Sequence, residues 1–241
     1  QETQDTAKNK YQKANSWYTV VNNGTMTISG GTFYTADGTP AKLGNRSSLI
    51  RNGASSSNSN VYLTIAGGTF TSAANVIKNE AGSVICSISG GTFTMDNSEI
   101  AWQGGNNMLE SYGTIKSITG GTFRALGDGI AMNEQGGEPP TYYRHGIGVY
   151  NEGKILDIGG MVTFSMEGTQ NRLIRYDNVN GTESPGSINI TGGVYLLEED
   201  AGENNFLIFS NAENPGITIS GGQFSGDVSG YCETGYTAEV L

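Results

Sequence analysis

One histidine, two cysteines and five prolines are all that 241 residues contain of these types. A single histidine leaves a multi-histidine metal site or a Ser-His-Asp arrangement without its material. Basic residues are also few, 13 Lys and Arg against 23 Asp and Glu, for a net charge of −10. That sign disfavours a nucleic-acid backbone or an anionic membrane surface as partner. Charged residues of both signs make up only 15 % of the chain, which argues for a packed fold rather than disorder. No apolar run approaches the ~18 residues of a membrane-spanning helix, so no direct membrane insertion is expected. The polar opening from Gln1 carries no signal-peptide pattern and reads as the start of a mature or trimmed chain. Glycine is plentiful, at 37 residues, but has no Gly-X-Y period, and this excludes collagen.

What the chain does contain is one phrase written seven times. The copies are Met26-Thr-Ile-Ser-Gly-Gly-Thr-Phe33, Leu63-Thr-Ile-Ala-Gly-Gly-Thr-Phe70, Cys86-Ser-Ile-Ser-Gly-Gly-Thr-Phe93 and Lys116-Ser-Ile-Thr-Gly-Gly-Thr-Phe123. Then follow Leu156-Asp-Ile-Gly-Gly-Met-Val-Thr-Phe164, Ile188-Asn-Ile-Thr-Gly-Gly-Val-Tyr195 and Ile217-Thr-Ile-Ser-Gly-Gly-Gln-Phe224. A unit repeated at this scale is stacked on itself. Its local period is two, with β-branched and aromatic residues, so each phrase is a strand that bends at Gly-Gly and resumes at the aromatic. A second apolar element precedes each copy: Val20-Val-Asn22, Ile50-Arg-Asn52, Ile77-Lys-Asn79, Leu109-Glu-Ser111, Val149-Tyr-Asn151, Ile174-Arg-Tyr176 and Ile208-Phe-Ser210.

Three short strands per unit, stacked seven times, predict an all-β fold, a parallel β-helix of about seven coils. The crossover rule, applied by analogy, predicts a right-handed sense. Residues 17–241 form this single domain. Residues 1–16 are polar and strand-poor, and Ala7, Lys8, Lys10, Gln12, Lys13 and Ala14 suit a short helix that caps the N-terminal end. Residues 225–241 show no equally clear cap. Inside, the phrase predicts an isoleucine ladder (Ile28, Ile65, Ile88, Ile118, Ile158, Ile190, Ile219) and an aromatic ladder (Phe33, Phe70, Phe93, Phe123, Phe164, Tyr195, Phe224). In copies three and four strict alternation would bury Cys86 and Lys116. A bulge that brings Ile85 and Ile115 inward avoids the buried lysine. Copy five carries one extra residue between its bend and Phe164. Cys86 and Cys232 lie about four coils apart, roughly 19 Å at the strand spacing of a sheet, beyond disulfide reach. Two free thiols are expected.

The phrase Ile-Ser-Gly-Gly-Thr-Phe, with the upstream Ile77-Lys-Asn79 and Gly82, resembles repeats in large surface proteins of Gram-positive gut bacteria, the GGTF-repeat β-helix segments. The closing Ile219-Ser-Gly-Gly-Gln-Phe-Ser-Gly-Asp-Val-Ser-Gly-Tyr-Cys-Glu-Thr-Gly-Tyr236 looks like the phrase that often ends such arrays. The likeness runs from about Trp17 to Tyr236. It implies secretion and display at the cell surface, within a larger multidomain chain. It carries over no catalytic residue.

Chemistry is hard to place on the repeats. The positions flanking the ladder isoleucines are serine, threonine, alanine, asparagine and glycine, with Asp157 the one acid. Polysaccharide-cleaving sites need clustered carboxylates or a cage of oxygens around calcium, and these flanks offer neither. The interrupted Thr and Ser rows read as ordinary outward strand residues rather than an ice-binding array. Acids gather in insertions instead: Asp128, Glu134 and Glu138, and Glu198, Glu199, Asp200 and Glu203. Gly127-Asp-Gly-Ile130 is read as a turn rather than a calcium loop.

The longest insertion, 127–146, holds Tyr142, Tyr143, Arg144 and a solvated His145. Tyr and Arg are favoured contact residues, so Tyr142, Tyr143 and Arg144, together with Trp102, are the candidate ligand contacts. No catalytic residue, metal or cofactor is expected. The sequence thus predicts a structural or adhesin-like segment, not an enzyme, whose loops meet glycans or host cell-surface proteins. The alternative is a carbohydrate-active β-helix, either lyase-like or a non-catalytic carbohydrate-binding module.

Overall fold

A computed structural model describes residues 18–34, 48–54, 59–72, 74–96, 106–127, 143–178, 186–198, 205–212 and 215–241. The proposed cap at 1–16 lies outside them, as do Trp102 and Tyr142. The described strands are stacked in parallel as a β-helix. Coil 1 is β1 (Val20–Asn22), β2 (Thr25–Ile28) and β3 (Thr32–Tyr34). Coil 2 is β4 (Ile50–Asn52), β5 (Tyr62–Ile65) and β6 (Thr69–Ser72), and coil 3 is β7 (Ile77–Asn79), β8 (Val84–Ile88) and β9 (Thr92–Asp96). Coil 4 is β10 (Asn107–Ser111), β11 (Thr114–Ile115) and β12 (Ile118–Leu126). In coils 5 to 7 the second and third strands run on as one: β13 (Arg144–Tyr150) and β14 (Lys154–Met166), β15 (Asn171–Asp177) and β16 (Ser187–Leu197), β17 (Phe206–Ser210) and β18 (Ile217–Phe224). The first strands form one seven-stranded sheet in the order β1-β4-β7-β10-β13-β15-β17. The others share a second sheet, closed by β19 (Glu239–Val240).

Both ladders hold in register through every coil. Ile28, Ile65, Ile88, Ile118, Ile158, Ile190 and Ile219 pair in succession, and so do the seven aromatics. Adjacent rings stack nearly parallel with centroids 4.3 to 5.8 Å apart. Tyr195 keeps its place because its hydroxyl donates to Gly192 O at 3.0 Å, so its one polar atom is satisfied.

The two glycines of each bend do different jobs. The second holds a left-handed φ, +116° at Gly91 and +109° at Gly121, which a side chain would strain. The first lies where coils approach closely: a Cβ at Gly90 would sit 2.8 Å from Ala66 O, and one at Gly120 would sit 2.5 Å from Ser89 O.

Irregular copies are absorbed by bulges. In coil 3, Leu63 pairs with Ile85 and Thr64 with Ser87, which leaves Cys86 as the extra residue. Ile85 and Ile115 are buried, and Lys116 is exposed. Coil 5 repeats the device, burying Ile155 and turning Leu156 outward at 46 % exposure. Its additional residue is taken up before Met161, where Gly159 and Gly160 stand opposite Thr119 alone; Met161 itself pairs with Gly120 and is 92 % exposed, and Phe123 still pairs with Phe164.

One alignment is corrected. Leu109 pairs with Ile147, not Val149, and Val149 pairs with Tyr176. A slip of two residues preserves which side chains face inward, so the hydrophobic pattern accepts both registers. The column at the end of the first strand then reads Asn22, Asn52, Asn79, Ser111. These join side chain to side chain at 2.7, 2.8 and 3.1 Å. Each asparagine also donates to a carbonyl of the next coil's second strand, at Tyr62, Val84 and Thr114, and so ties the first turn of one coil to the next.

The C-terminal end is capped after all. The chain from Ser225 turns through a short 3-10 segment at Ser229–Tyr231 and sets Val228 against the core. Cys232 then bridges to Ile219, and β19 pairs with Gln223 and Phe224. The segment covers the last rungs of both ladders as a partial eighth coil, which its glycine-rich sequence gives little sign of. Cys86 and Cys232 are both free.

Candidate functional site on the outer face of the first sheet

Where coils 2, 3, 4 and 6 enter their first strands, two consecutive side chains turn into the core: Leu49 and Ile50, Val76 and Ile77, Met108 and Leu109, Leu173 and Ile174. This corner breaks the period-two alternation. The residue before the pair therefore shares the outer face with the residue after it. Asn75 Nδ2 donates to Glu110 Oε2 at 2.5 Å, Tyr150 Oη donates to Asn107 Oδ1 at 3.0 Å, and Arg175 Nη1 lies 2.6 Å from His145 Nε2. The strand's own outward row runs Arg51, Lys78, Glu110, Gly148, Arg175, Phe209 in register.

The three cations of this row, and Arg172 beside it, are laid on aromatic rings. Arg51 lies 5.0 Å from the Tyr18 ring, Lys78 lies 5.6 Å from Tyr112, and Arg175 lies 5.3 Å from Tyr150. Arg172 is closest, 3.7 Å from the Tyr143 ring and 3.4 Å from that of Phe209. Carboxylates lie beneath. Glu80 holds Arg51 at 2.8 Å and Lys78 at 3.5 Å, and Asp177 holds Arg175. The side chains of Arg51, Lys78 and Arg175 are 17 %, 25 % and 23 % exposed, against 9 % for Glu80 and 2 % for Asp177. The charge this face offers to solvent is therefore positive, on a chain whose net charge is −10.

Burial controls ionisation here. It raises the Glu110 carboxyl above its usual range, with Lys78 and hydrogen bonds from Tyr112 and Asn75 opposing and Glu80 adding to the rise. It pushes the Tyr150 hydroxyl up to about 12. It holds His145 well below its ordinary value, helped by the charges of Arg175 and Arg172, so that the ring is neutral.

A carboxyl whose folded pKa is raised favours folding while protonated and loses that advantage as pH climbs through the folded value. Glu110→Gln, which keeps an acceptor for Asn75, therefore raises the thermal midpoint at pH 7, and the gain vanishes below pH ~4.5, where both states are protonated. Thermal unfolding at the two pH values checks this; a gain of equal size at both would exclude ionisation as the cause.

The sequence-based contact residues fare differently. Tyr143 is on this face, edge-on to Phe206 at 5.9 Å. Arg144 is not a loop residue. It begins β13 and is fully buried. Its guanidinium donates to Asn171 Oδ1 at 3.0 Å, to Leu126 O at 2.5 Å, to Glu167 O at 2.6 Å and to Gly127 O. It ties the ends of two third strands to the start of a first. His145 is buried beside it rather than solvated. Trp102 and Tyr142 lie outside the described residues, as does most of the long insertion.

Sequence reasoning missed Arg51, Lys78, Arg172 and Arg175. For Arg51, Lys78 and Arg175 the signal was present as the middle residue of the first apolar element, Ile50-Arg-Asn52, Ile77-Lys-Asn79 and Ile174-Arg-Tyr176; Arg172 lies outside that element. In sequence a single outward cation per strand is indistinguishable from an ordinary solvated residue, because the rings beneath it come from other coils. Among the described residues no group of His, Cys, Asp and Glu could hold a metal ion, and no helix is long and apolar enough to cross a membrane. Comparisons of the chain with protein-family models, curated proteins and solved structures find no match.

Proposed function

We propose that this chain is a non-catalytic binding segment of an extracellular bacterial surface protein, a β-helical stalk that holds extended glycans along its first sheet. The observation that carries the reading is the set of cations laid on aromatic rings, Arg51 and Lys78 in coils 2 and 3 and Arg172 and Arg175 in coil 6, with Arg51, Lys78 and Arg175 more exposed than the carboxylates that hold them. Side chains repeated at the spacing of stacked strands, about 4.8 Å, suit a linear polymer that can lie across several coils. Aromatic rings and arginine forks are the groups that interfaces favour. The acids of this face support binding rather than catalysis, because Glu80 and Asp177 are engaged with cations and Glu110 with Asn75. The repeat's resemblance to surface proteins of Gram-positive gut bacteria supplies the extracellular setting.

The test is a glycan array probed with the native chain and with the Arg51→Gln, Lys78→Gln double variant. The native chain retains at least one glycan class, and the variant, folded but with a lower melting temperature because Glu80 loses both cations, binds it about tenfold more weakly. Retention of no glycan, or retention indifferent to the double substitution, would reject the reading.

A further inference from the structure

The best-defined part of the first sheet's outer face lies where β13, β15 and β17 meet. His145 pairs in register with Arg172, and Arg172 with Phe206. Arginine has no acceptor atom, so the 2.6 Å approach of Arg175 Nη1 makes His145 Nε2 the acceptor. The ring proton therefore sits on Nδ1. That N–H is buried and has no hydrogen-bond partner among the described residues, and neither has the Nε–H of Arg172 in the neighbouring strand. A buried donor left without an acceptor forfeits its hydrogen bond to water, so both positions favour an incoming acceptor.

The guanidinium of Arg172 lies against the Tyr143 and Phe209 rings. Tyr143 also shares a side-chain hydrogen bond with Arg172, and the buried Arg172 Nε–H is the donor left for an acceptor. Burial, and then the like charge of Arg175, disfavours the Arg172 cation, and an anion relieves both. Beside these donors, Asp177 spends Oδ2 on Arg175, while its buried Oδ1 has no partner among the described residues. The cluster thus offers two N–H donors to an anion and one carboxylate oxygen to a hydroxyl.

We propose that His145 and Arg172 form a subsite for the carboxylate of an acidic sugar, with Arg175 fixing the His145 tautomer and Asp177 accepting a hydrogen bond from a neighbouring sugar hydroxyl. The inference rests on the glycan-binding reading and narrows it to uronic-acid-containing chains. A planar carboxylate can take in-plane N–H bonds from a fixed guanidinium edge, and such charge-assisted bonds are roughly twice as strong as neutral ones. A methyl ester keeps the shape of the sugar and removes the charge.

The experiment titrates the 15N-labelled chain with trigalacturonate, with its methyl ester and with a neutral galactose trimer. It follows the His145 ring N–H and the Arg172 Nε–H by NMR and the affinity by calorimetry. Trigalacturonate binds about tenfold more tightly than its ester and moves both N–H signals. Arg172→Lys keeps the charge, loses the fork and abolishes the preference at an unchanged melting temperature; His145→Gln, which still accepts from Arg175, weakens it. Equal binding of acid, ester and neutral trimer overturns the subsite and leaves the glycan-binding reading standing. Preference for the acid with neither N–H signal moved places the carboxylate elsewhere and also overturns the subsite. Absence of binding in every arm, together with an empty glycan array, overturns both.

Discussion

Phe123→Ala lowers the unfolding free energy by about 3–5 kcal/mol, the cost of emptying a large aromatic site in a packed core. Phe123 is fully buried, with the Phe93 ring centred 4.3 Å on one side and that of Phe164 4.4 Å on the other. A flat cavity between two stacked rings cannot collapse without shortening the coil spacing, which the strand pairing on either side holds. The terminal ring, Phe33, is only partly buried and has one neighbour in the ladder, Phe70 at 5.0 Å. Phe33→Ala therefore costs much less. Chemical denaturation of both variants measures the difference. Equal losses would mean that neither the fuller burial of Phe123 nor its second stacking neighbour matters, and would overturn the cavity argument.

Arg144→Met is expected to destabilise by about 3 kcal/mol or more, since it strands several buried acceptors at once. The guanidinium is the shared donor for the carbonyls of Leu126, Gly127 and Glu167 and for Asn171 Oδ1. Methionine fills similar space and replaces none of those bonds. Arg144→Lys recovers only part of the loss, because one ammonium cannot reproduce the planar fork. A thermal midpoint within a degree or two of the native chain would show that the arginine is not the clasp between the third and first strands. A contact residue on a loop would behave in that second way.

Arg144 shows where sequence reasoning stops. Beside Tyr143, at the edge of a long insertion rich in glycine and proline, it has the composition of a binding loop. Nothing local distinguishes an arginine that meets a ligand from one that satisfies carbonyls of the preceding coil and of the far end of its own, because those carbonyls lie 17 to 23 residues away in the chain. The same holds for His145. It looks solvated by its neighbours in sequence, but the corner at Gly146 and Ile147 turns it onto the face shared with Arg175, in the next coil. Alternation alone cannot find such residues, since the corner puts two adjacent side chains inside. The slip between Val149 and Ile147 has a related origin: both are apolar, two apart, and only the bridges to Leu109 and Ile174 choose between them.

The repeat by itself determined the stacked, parallel, all-β architecture, the coil count, the two interior ladders and the inward turn of Ile85 and Ile115. Each depends on a periodicity that one strand already displays and that seven copies reinforce. The tertiary structure alone decided the rest: which arginines are buried clasps and which lie on rings facing solvent, where Cys232 continues the isoleucine ladder, and that one face of an acidic chain is cationic. Those features arise between coils, from residues about 30 positions apart brought within a strand spacing of one another. The variable insertions remove any fixed sequence offset by which such neighbours could be recognised.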